Sequence, residues 1–189
     1  VNGKKTNYIK GTSEWIVIEA CEYRQSFLNY FPDYSIITNI DADHLDFYKD
    51  LEDIKKSFGL FVDNLKTDNN TGKVIVHESE NYINEYTKEA KPLVIADDAN
   101  VDKIVLSVPG QHNRQNANLV FALGKELGFG EEKVLQGLKN FKGTWRRQEY
   151  KGVLKTVSGS EIIFYDDYAH HPHEIRATLS AFREKYPDK

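Results

Sequence analysis

An α/β architecture, with a mostly parallel sheet flanked by helices, is what this chain of 189 residues predicts. Three observations lead there: short apolar runs that stop at polar clusters, amphipathic helical patterns between them, and the alternation of the two along the chain. The run Trp15-Ile16-Val17-Ile18 closes on Glu19, and Tyr34 to Thr38 repeats the pattern before Asn39-Ile40-Asp41. Such runs fit strands buried on both faces, because helices cover each side of a parallel sheet. Lys73 to His77, Pro92 to Ala96 and Lys103 to Val108 are further strand candidates. Leu51, Ile54, Phe58, Phe61, Val62 and Leu65 recur at helical spacing, opposite Glu52, Lys55, Lys56 and Asp63. A second helix is expected from Gln111 or His112 to Gly128, a C-terminal glycine cap, and a third over Glu131 to Asn140.

The texture changes after Phe141-Lys142-Gly143. Two strand-like stretches, about Tyr150 to Thr156 and Glu161 to Tyr165, flank the turn Ser158-Gly159-Ser160, and an amphipathic helix follows from His173 to Tyr186. Residues 1–142 and 143–189 are therefore expected to belong to different domains. The second stops after one helix, where an α/β domain still lacks most of its sheet, so the chain reads as a fragment.

Composition narrows the function classes. With 25 Lys+Arg against 29 Asp+Glu the formal charge is −4, and no dense basic block is present, which argues against a general nucleic-acid binder. No apolar run approaches the roughly 18 to 20 residues a membrane-spanning helix needs, so no membrane partner is expected. The single Cys21 cannot form an internal disulfide, and a reducing cytoplasm is the natural setting. Acidic neighbours would raise the Cys21 thiol, which is expected to be a packed residue rather than a nucleophile.

Five clusters can carry chemistry. Glu19 with Glu22, and Asp41-Ala42-Asp43-His44-Leu45-Asp46, both follow strand candidates, where open α/β sheets place their ligand crevice. If those strands are parallel neighbours, Glu19 and His44 come within reach of one another. A carboxylate and an imidazole could then hold Mg²⁺ or Mn²⁺ in an incomplete shell; the alternative is that these are loop and cap residues. In Pro109-Gly110-Gln111-His112-Asn113-Arg114-Gln115-Asn116, the side chains of His112, Asn113 and Asn116 gather on one side of a first helical turn. An Asn amide complements an adenine edge, and simple capping is the competing explanation. Gly143-Thr144-Trp145-Arg146-Arg147 can clamp phosphate or carboxylate, or be solvated surface. Tyr165-Asp166-Asp167-Tyr168-Ala169-His170-His171-Pro172-His173 offers two acids and three histidines for a metal site or a ligand-orienting loop.

In their order, these clusters resemble the Mur ligase family: Glu19-Ala20-Cys21-Glu22-Tyr23 with Ser26-Phe27-Leu28, Thr38 to Asp46, Pro109 to Ala117, Gly143 to Arg147, and Tyr165 to Pro172. The resemblance covers nearly the whole chain, and is strongest to the branch that joins L-alanine to UDP-N-acetylmuramate. It implies a cytoplasmic ATP- and Mg²⁺-dependent ligase of peptidoglycan precursor synthesis, working through an acyl phosphate. The chain would be the later part of the central ATPase domain, up to about Phe141, and the start of a Rossmann-like C-terminal domain. Residue by residue, the resemblance makes Glu19 and His44 metal ligands and Asn116 the adenine contact, with His112 and Asn113 beside it. It brings Arg147 to ATP and Asp167 to the ribose. Tyr168, His170 and His171 fall toward the substrate end, with His170 assigned to the acceptor side. The apolar surroundings of Phe58 stand where other branches carry a carbamylated lysine, which suits alanine addition.

Two departures bear on activity. No Gly-x-x-x-x-Gly-Lys-[Ser/Thr] loop occurs in the sequence, and the UDP-binding domain of the family has no counterpart in it. The chain alone is expected not to turn over ATP. A murein peptide ligase of the same family, and a stand-alone metal-dependent hydrolase built on Asp41, Asp43, His44, Asp46, Asp166, Asp167, His170 and His171, are the alternatives.

Overall fold

The structure, a computed structural model, describes residues 6–66 and 72–188. Its chain forms two compact units: Ile18–Ile104 with Gln115–Gln136, and Val1–Val17 with Val105–Arg114 and Gly137–Lys189.

The first unit holds a three-stranded parallel sheet of β1 (Tyr34–Ile36), β2 (Lys73–Val76) and β3 (Leu93–Ile95), in the order β1-β2-β3. Ser35 is opposite Val74, and Ile75 opposite Val94. Side chains alternate across a strand, so β2 sends Val74 and Val76 to one face and Ile75 to the other. Helix α1 (Leu51–Asp63) covers the first face: its Val62, with Leu65 just beyond the helix, packs with Ile37, Val74, Val76 and Ile83. Helix α2 (Gln111–Glu126) covers the second, where Leu119 meets Ile75 and Ala96. Full burial of Val74, Ile75 and Val76 stabilises by about 1.5–3 kcal/mol each, which makes this strand the centre of the core. Asp50 starts α1 by accepting from the Asp53 N–H at 2.9 Å. Helix α2 ends as expected at Gly128, φ +76°, where the Gly128 and Phe129 amides donate to the Lys125 and Gly124 carbonyls. Helix α3 (Glu131–Asn140) follows.

Two expected strands do not form. Residues 15–18 form no strand, and Ile16 and Val17 are 82% and 96% exposed. An apolar run supplies strand propensity, but a strand exists only when another backbone pairs with it. Cys21, a little further on, is correspondingly exposed rather than packed. Lys103 to Val108 begins instead inside a 3-10 turn, Asp98–Lys103, closed by the Ile104 N–H on the Val101 carbonyl.

In the second unit β4 (Glu149–Lys155) and β5 (Glu161–Asp166) form an antiparallel hairpin with a bulge between Tyr150 and Gly152. Helix α4 (Pro172–Lys185) begins at a His171 cap reinforced by Glu174, with Pro172 at its first position. Phe182 of α4 packs 4.6 Å from the Tyr165 ring, and Arg114 clasps Glu184 through both guanidinium nitrogens at 2.7 and 3.2 Å. Gly110 lies so close to α4 that a Cβ there would fall 2.7 Å from the Ala181 methyl carbon.

Candidate functional site

The carboxyl end of β1 leads into Asp41–Asp46, a tight turn built from its own acids. Asp41 Oδ1 accepts from the Ala42 N–H at 2.8 Å, Asp43 Oδ1 from the His44 N–H at 2.6 Å. His44 itself is left-handed, φ +53°, and its carbonyl accepts from the Phe47 and Tyr48 amides at 2.9 Å each. This geometry sends the imidazole toward the 3-10 segment Tyr23–Asn29 and the loop before it. His44 Nε2 is 3.4 Å from Glu22 Oε1, and both side chains are about one third exposed, at 29% and 35%. The Tyr23 ring lies 4.8 Å from the imidazole, and its hydroxyl donates to Asp46 Oδ2 at 3.0 Å.

The carboxylate beside His44 is thus that of Glu22. Glu19, three residues earlier, is exposed and forms no ion pair with His44 among the described residues. An accessible carboxylate and imidazole are the hard and borderline donors that Mg²⁺ or Mn²⁺ takes; Asp43 Oδ1 lies on the other side of the ring, 3.9 Å from His44 Nδ1.

The second unit assembles another polar group. The turn from Thr144 to Glu149 is wound tightly: Arg146 and Gln148 both have positive φ, +56° and +48°. The Arg146 carbonyl accepts from the Tyr168 N–H at 2.9 Å, and the Arg146 guanidinium lies 4.4 Å over the Tyr168 ring. Gln148, which sequence reasoning missed, is buried and central. Its N–H donates to Asp167 Oδ2 at 2.8 Å, its Nε2 faces His112 Nε2 at 3.4 Å, and its Oε1 accepts from Asn113 Nδ2 at 3.4 Å. No motif marks a glutamine after two arginines; its role emerges only when the start of α2 and the end of β5 meet around it.

Asn113 also donates to the Pro109 carbonyl at 2.6 Å, so its amide is engaged in capping rather than open to a base edge. Asn116 is exposed on α2, whereas Asn118 is fully buried and donates to the Asp97 carbonyl at 3.2 Å. Burial lowers the His112 pKa below its ordinary value; Asp167 pulls it back upward without cancelling the shift.

Asp167 has both oxygens occupied, the second by the Ala169 N–H at 2.8 Å. Arg147 is half-exposed, with Nη1 3.5 Å from Glu174 Oε1. Glu174 Oε2 accepts the His170 and His171 amides at 3.1 and 3.3 Å. Burial pushes the Glu174 carboxyl up, and these amides with Arg147 outweigh it to hold the carboxyl below its ordinary value. His170 is exposed, its Nδ1 3.0 Å from the Tyr168 carbonyl, while the His171 ring serves as the α4 cap.

Residues 5–102 match the family description Mur ligase middle domain. A protein named UDP-N-acetylmuramate--L-alanine ligase in Agathobacter rectalis is 41% identical over 94% of the chain and 43% of its own length. Proteins of the same name in Clostridium botulinum (strain Hall) and Clostridium kluyveri are 35% and 38% identical, over 99% and 95% of the chain and 44% and 43% of theirs. The chain therefore spans less than half the length of these curated relatives. The crystal structure of UDP-N-acetylmuramate-alanine ligase MurC from Thermotoga maritima shares the fold, with TM-score 0.61 and 24% identity over 87% of the chain and 41% of that structure. MurF from Acinetobacter baumannii aligns with TM-score 0.61 and 20% identity over 82% of the chain and 38% of that structure.

Proposed function

The chain belongs to the Mur ligase family, and on that footing we propose that it is part of an ATP-dependent ligase joining L-alanine to UDP-N-acetylmuramate in peptidoglycan precursor synthesis. The observation that carries this is the acid–imidazole pair Glu22–His44 past the carboxyl end of a parallel strand, in a chain 41% identical to a relative bearing that name. No helix among the described residues is long and apolar enough to cross a membrane, which is compatible with a cytoplasmic setting. Residues 1–142 are read as part of the central ATP-binding domain and 143–189 as the opening of the C-terminal domain.

The reaction has two steps. A lactyl carboxylate oxygen of the muramyl sugar bonds to the γ-phosphorus of ATP as the β,γ-bridging P–O bond breaks, releasing ADP. The alanine amine then bonds to the acyl carbon, the C–O bond to phosphate breaks, and phosphate leaves while the amine loses its proton. A divalent cation supplies charge neutralisation at the phosphoryl oxygens when bound. In this chain His44, with Glu19 and Glu22 of the neighbouring loop, would hold it. Arg147 presents forked donors suited to a phosphate anion. Asp167, fixed by two main-chain amides, offers a stationary carboxylate toward a ribose hydroxyl, and Asn116 an open amide toward adenine. His112 and Asn113 support the start of that helix. Tyr168, His170 and His171 lie in the loop assigned to the substrate end. In the tautomer that donates from His170 Nδ1 to the Tyr168 carbonyl, Nε2 is the nitrogen able to take a proton from the attacking amine.

Calorimetric titration of the chain with Mg·ATP tests the reading, comparing the unmodified protein with Asn116→Ala. Weak binding is expected, weakened further by the substitution, with no ATP turnover because the sequence lacks a Gly-Lys-[Ser/Thr] phosphate loop. Tight binding indifferent to Asn116 would refute the adenine assignment.

A further inference from the structure

Tyr48 is 2% exposed, yet it carries a hydroxyl into the core, where an unpaired polar group is costly. Its main-chain N–H donates to the His44 carbonyl at 2.9 Å. Its hydroxyl donates to the Glu22 carbonyl at 2.5 Å and lies 3.3 Å from Ser57 Oγ on α1. Glu22 Oε1 in turn faces His44 Nε2 at 3.4 Å, closing a ring of contacts. One buried residue thus touches the main chain of both members of the acid–imidazole pair, Glu22 through its hydroxyl and His44 through its own N–H, and the same hydroxyl lies beside Ser57 of α1. Phenylalanine would fill the same volume and the Phe47 ring would still pack edge-on at 4.9 Å, so packing alone does not require the oxygen.

We infer that Tyr48 is a positioning residue: its hydroxyl sets the register between the Glu19–Glu22 loop and the His44 turn so that carboxylate and imidazole converge on one divalent cation. The loop depends on such a tie, since Arg24 and Gln25 immediately after it adopt positive φ, +51° and +57°, and Ile16 and Val17 before it are exposed. The inference rests on the reading that this pair holds Mg²⁺ or Mn²⁺, and its test separates the two.

Mn²⁺ is titrated into the chain and free Mn²⁺ read by electron paramagnetic resonance, for the unmodified protein, Tyr48→Phe, Ser57→Ala and His44→Ala. The His44 ring proton resonances are recorded without metal. Residues that orient metal ligands typically contribute about 10–100-fold in affinity, so Tyr48→Phe is expected to weaken Mn²⁺ binding by about tenfold or more and to shift the His44 ring resonances. Ser57→Ala leaves the tie to Glu22 in place and is expected to change neither. Mn²⁺ affinity in Tyr48→Phe equal to that of the unmodified chain overturns the inference. Equal binding by the unmodified chain and His44→Ala refutes the metal reading instead; positioning by Tyr48 is then judged on the resonances, and unmoved His44 signals in Tyr48→Phe overturn it.

Discussion

The main-chain N–H of Gln148 donates to Asp167 Oδ2 at 2.8 Å, binding the left-handed turn at Arg146–Gln148 to the loop that follows β5. The other Asp167 oxygen takes the Ala169 N–H, so one carboxylate holds two amides of different segments. Hydrogen bonds to a charged group stabilise by about 1.5–3 kcal/mol each in folded proteins, and Asp167→Ala leaves both donors without their acceptor. The expected loss is about 2–3 kcal/mol in urea unfolding, with Asp167→Asn losing less because one carbonyl oxygen remains. An unchanged urea midpoint in Asp167→Ala would show that solvent replaces the carboxylate at no cost.

His112 and Glu174 should give stability a two-stage dependence on pH. The His112 pKa is lowered, chiefly by burial, so the folded state disfavours its proton; His112 also faces Gln148 Nε2, a second donor once the ring is charged. A depressed folded pKa contributes stability that is complete above the unfolded value of 6.5 and lost as pH falls from there through the folded pKa. Glu174 follows the same sign lower down: its contribution is complete above the ordinary 4.5 and lost as pH falls through its depressed value. Thermal melts should be flat from pH 8 to 7 and decline below about 6.5, with a further decline below about 4.5. His112→Gln is expected to flatten the first stage and Glu174→Gln the second.

Gly59 permits α1 to lie against the 3-10 segment Glu78–Tyr86. A Cβ at this position would fall 2.2 Å from the Tyr86 carbonyl oxygen, a main-chain atom that cannot swing aside. Gly59→Ala, favourable by helix propensity alone, is therefore expected to destabilise by about 1–3 kcal/mol or more. Hydrogen exchange at the Tyr86 and Thr87 amides should accelerate together with the loss; a stabilised variant would mean the two segments separate freely.

Ile16, Val17 and Ile18 expose a β-branched apolar run, with Val17 almost fully solvated. Such a segment templates strand pairing between chains. Val17→Asp is expected to lower concentration-dependent self-association in sedimentation velocity while shifting stability by no more than about 0.5 kcal/mol, because no core contact is removed. A large fall in melting temperature would contradict the exposure of this side chain.

Local rules made much of this molecule legible. The apolar stripe of α1, the glycine stop at Gly128, the hairpin around Ser158–Ser160 and the helix after His171 each depend on residues within a few positions of one another, and each occurs where expected. Trp15–Ile18 and Lys103–Val108 had equally good local credentials, but a ladder needs a second backbone, which a run of side chains does not specify. The same distinction divides the candidate site. That acids and a histidine follow strands near Glu19 and His44 is written in residue order. That Glu22 stands against the imidazole depends on a kink at Arg24–Gln25, a left-handed His44 and a hydroxyl from Tyr48, none of which has a local signature. Composition and periodicity set the class and the covered faces of β2, because burial and capping act over a turn or a strand, while the family resemblance lay in the identity and order of the motif residues. Which carboxylate meets His44, which asparagine stays open on α2, and why a glutamine holds Asp167 were fixed by packing between distant segments, where one buried hydrogen bond outweighs any local preference.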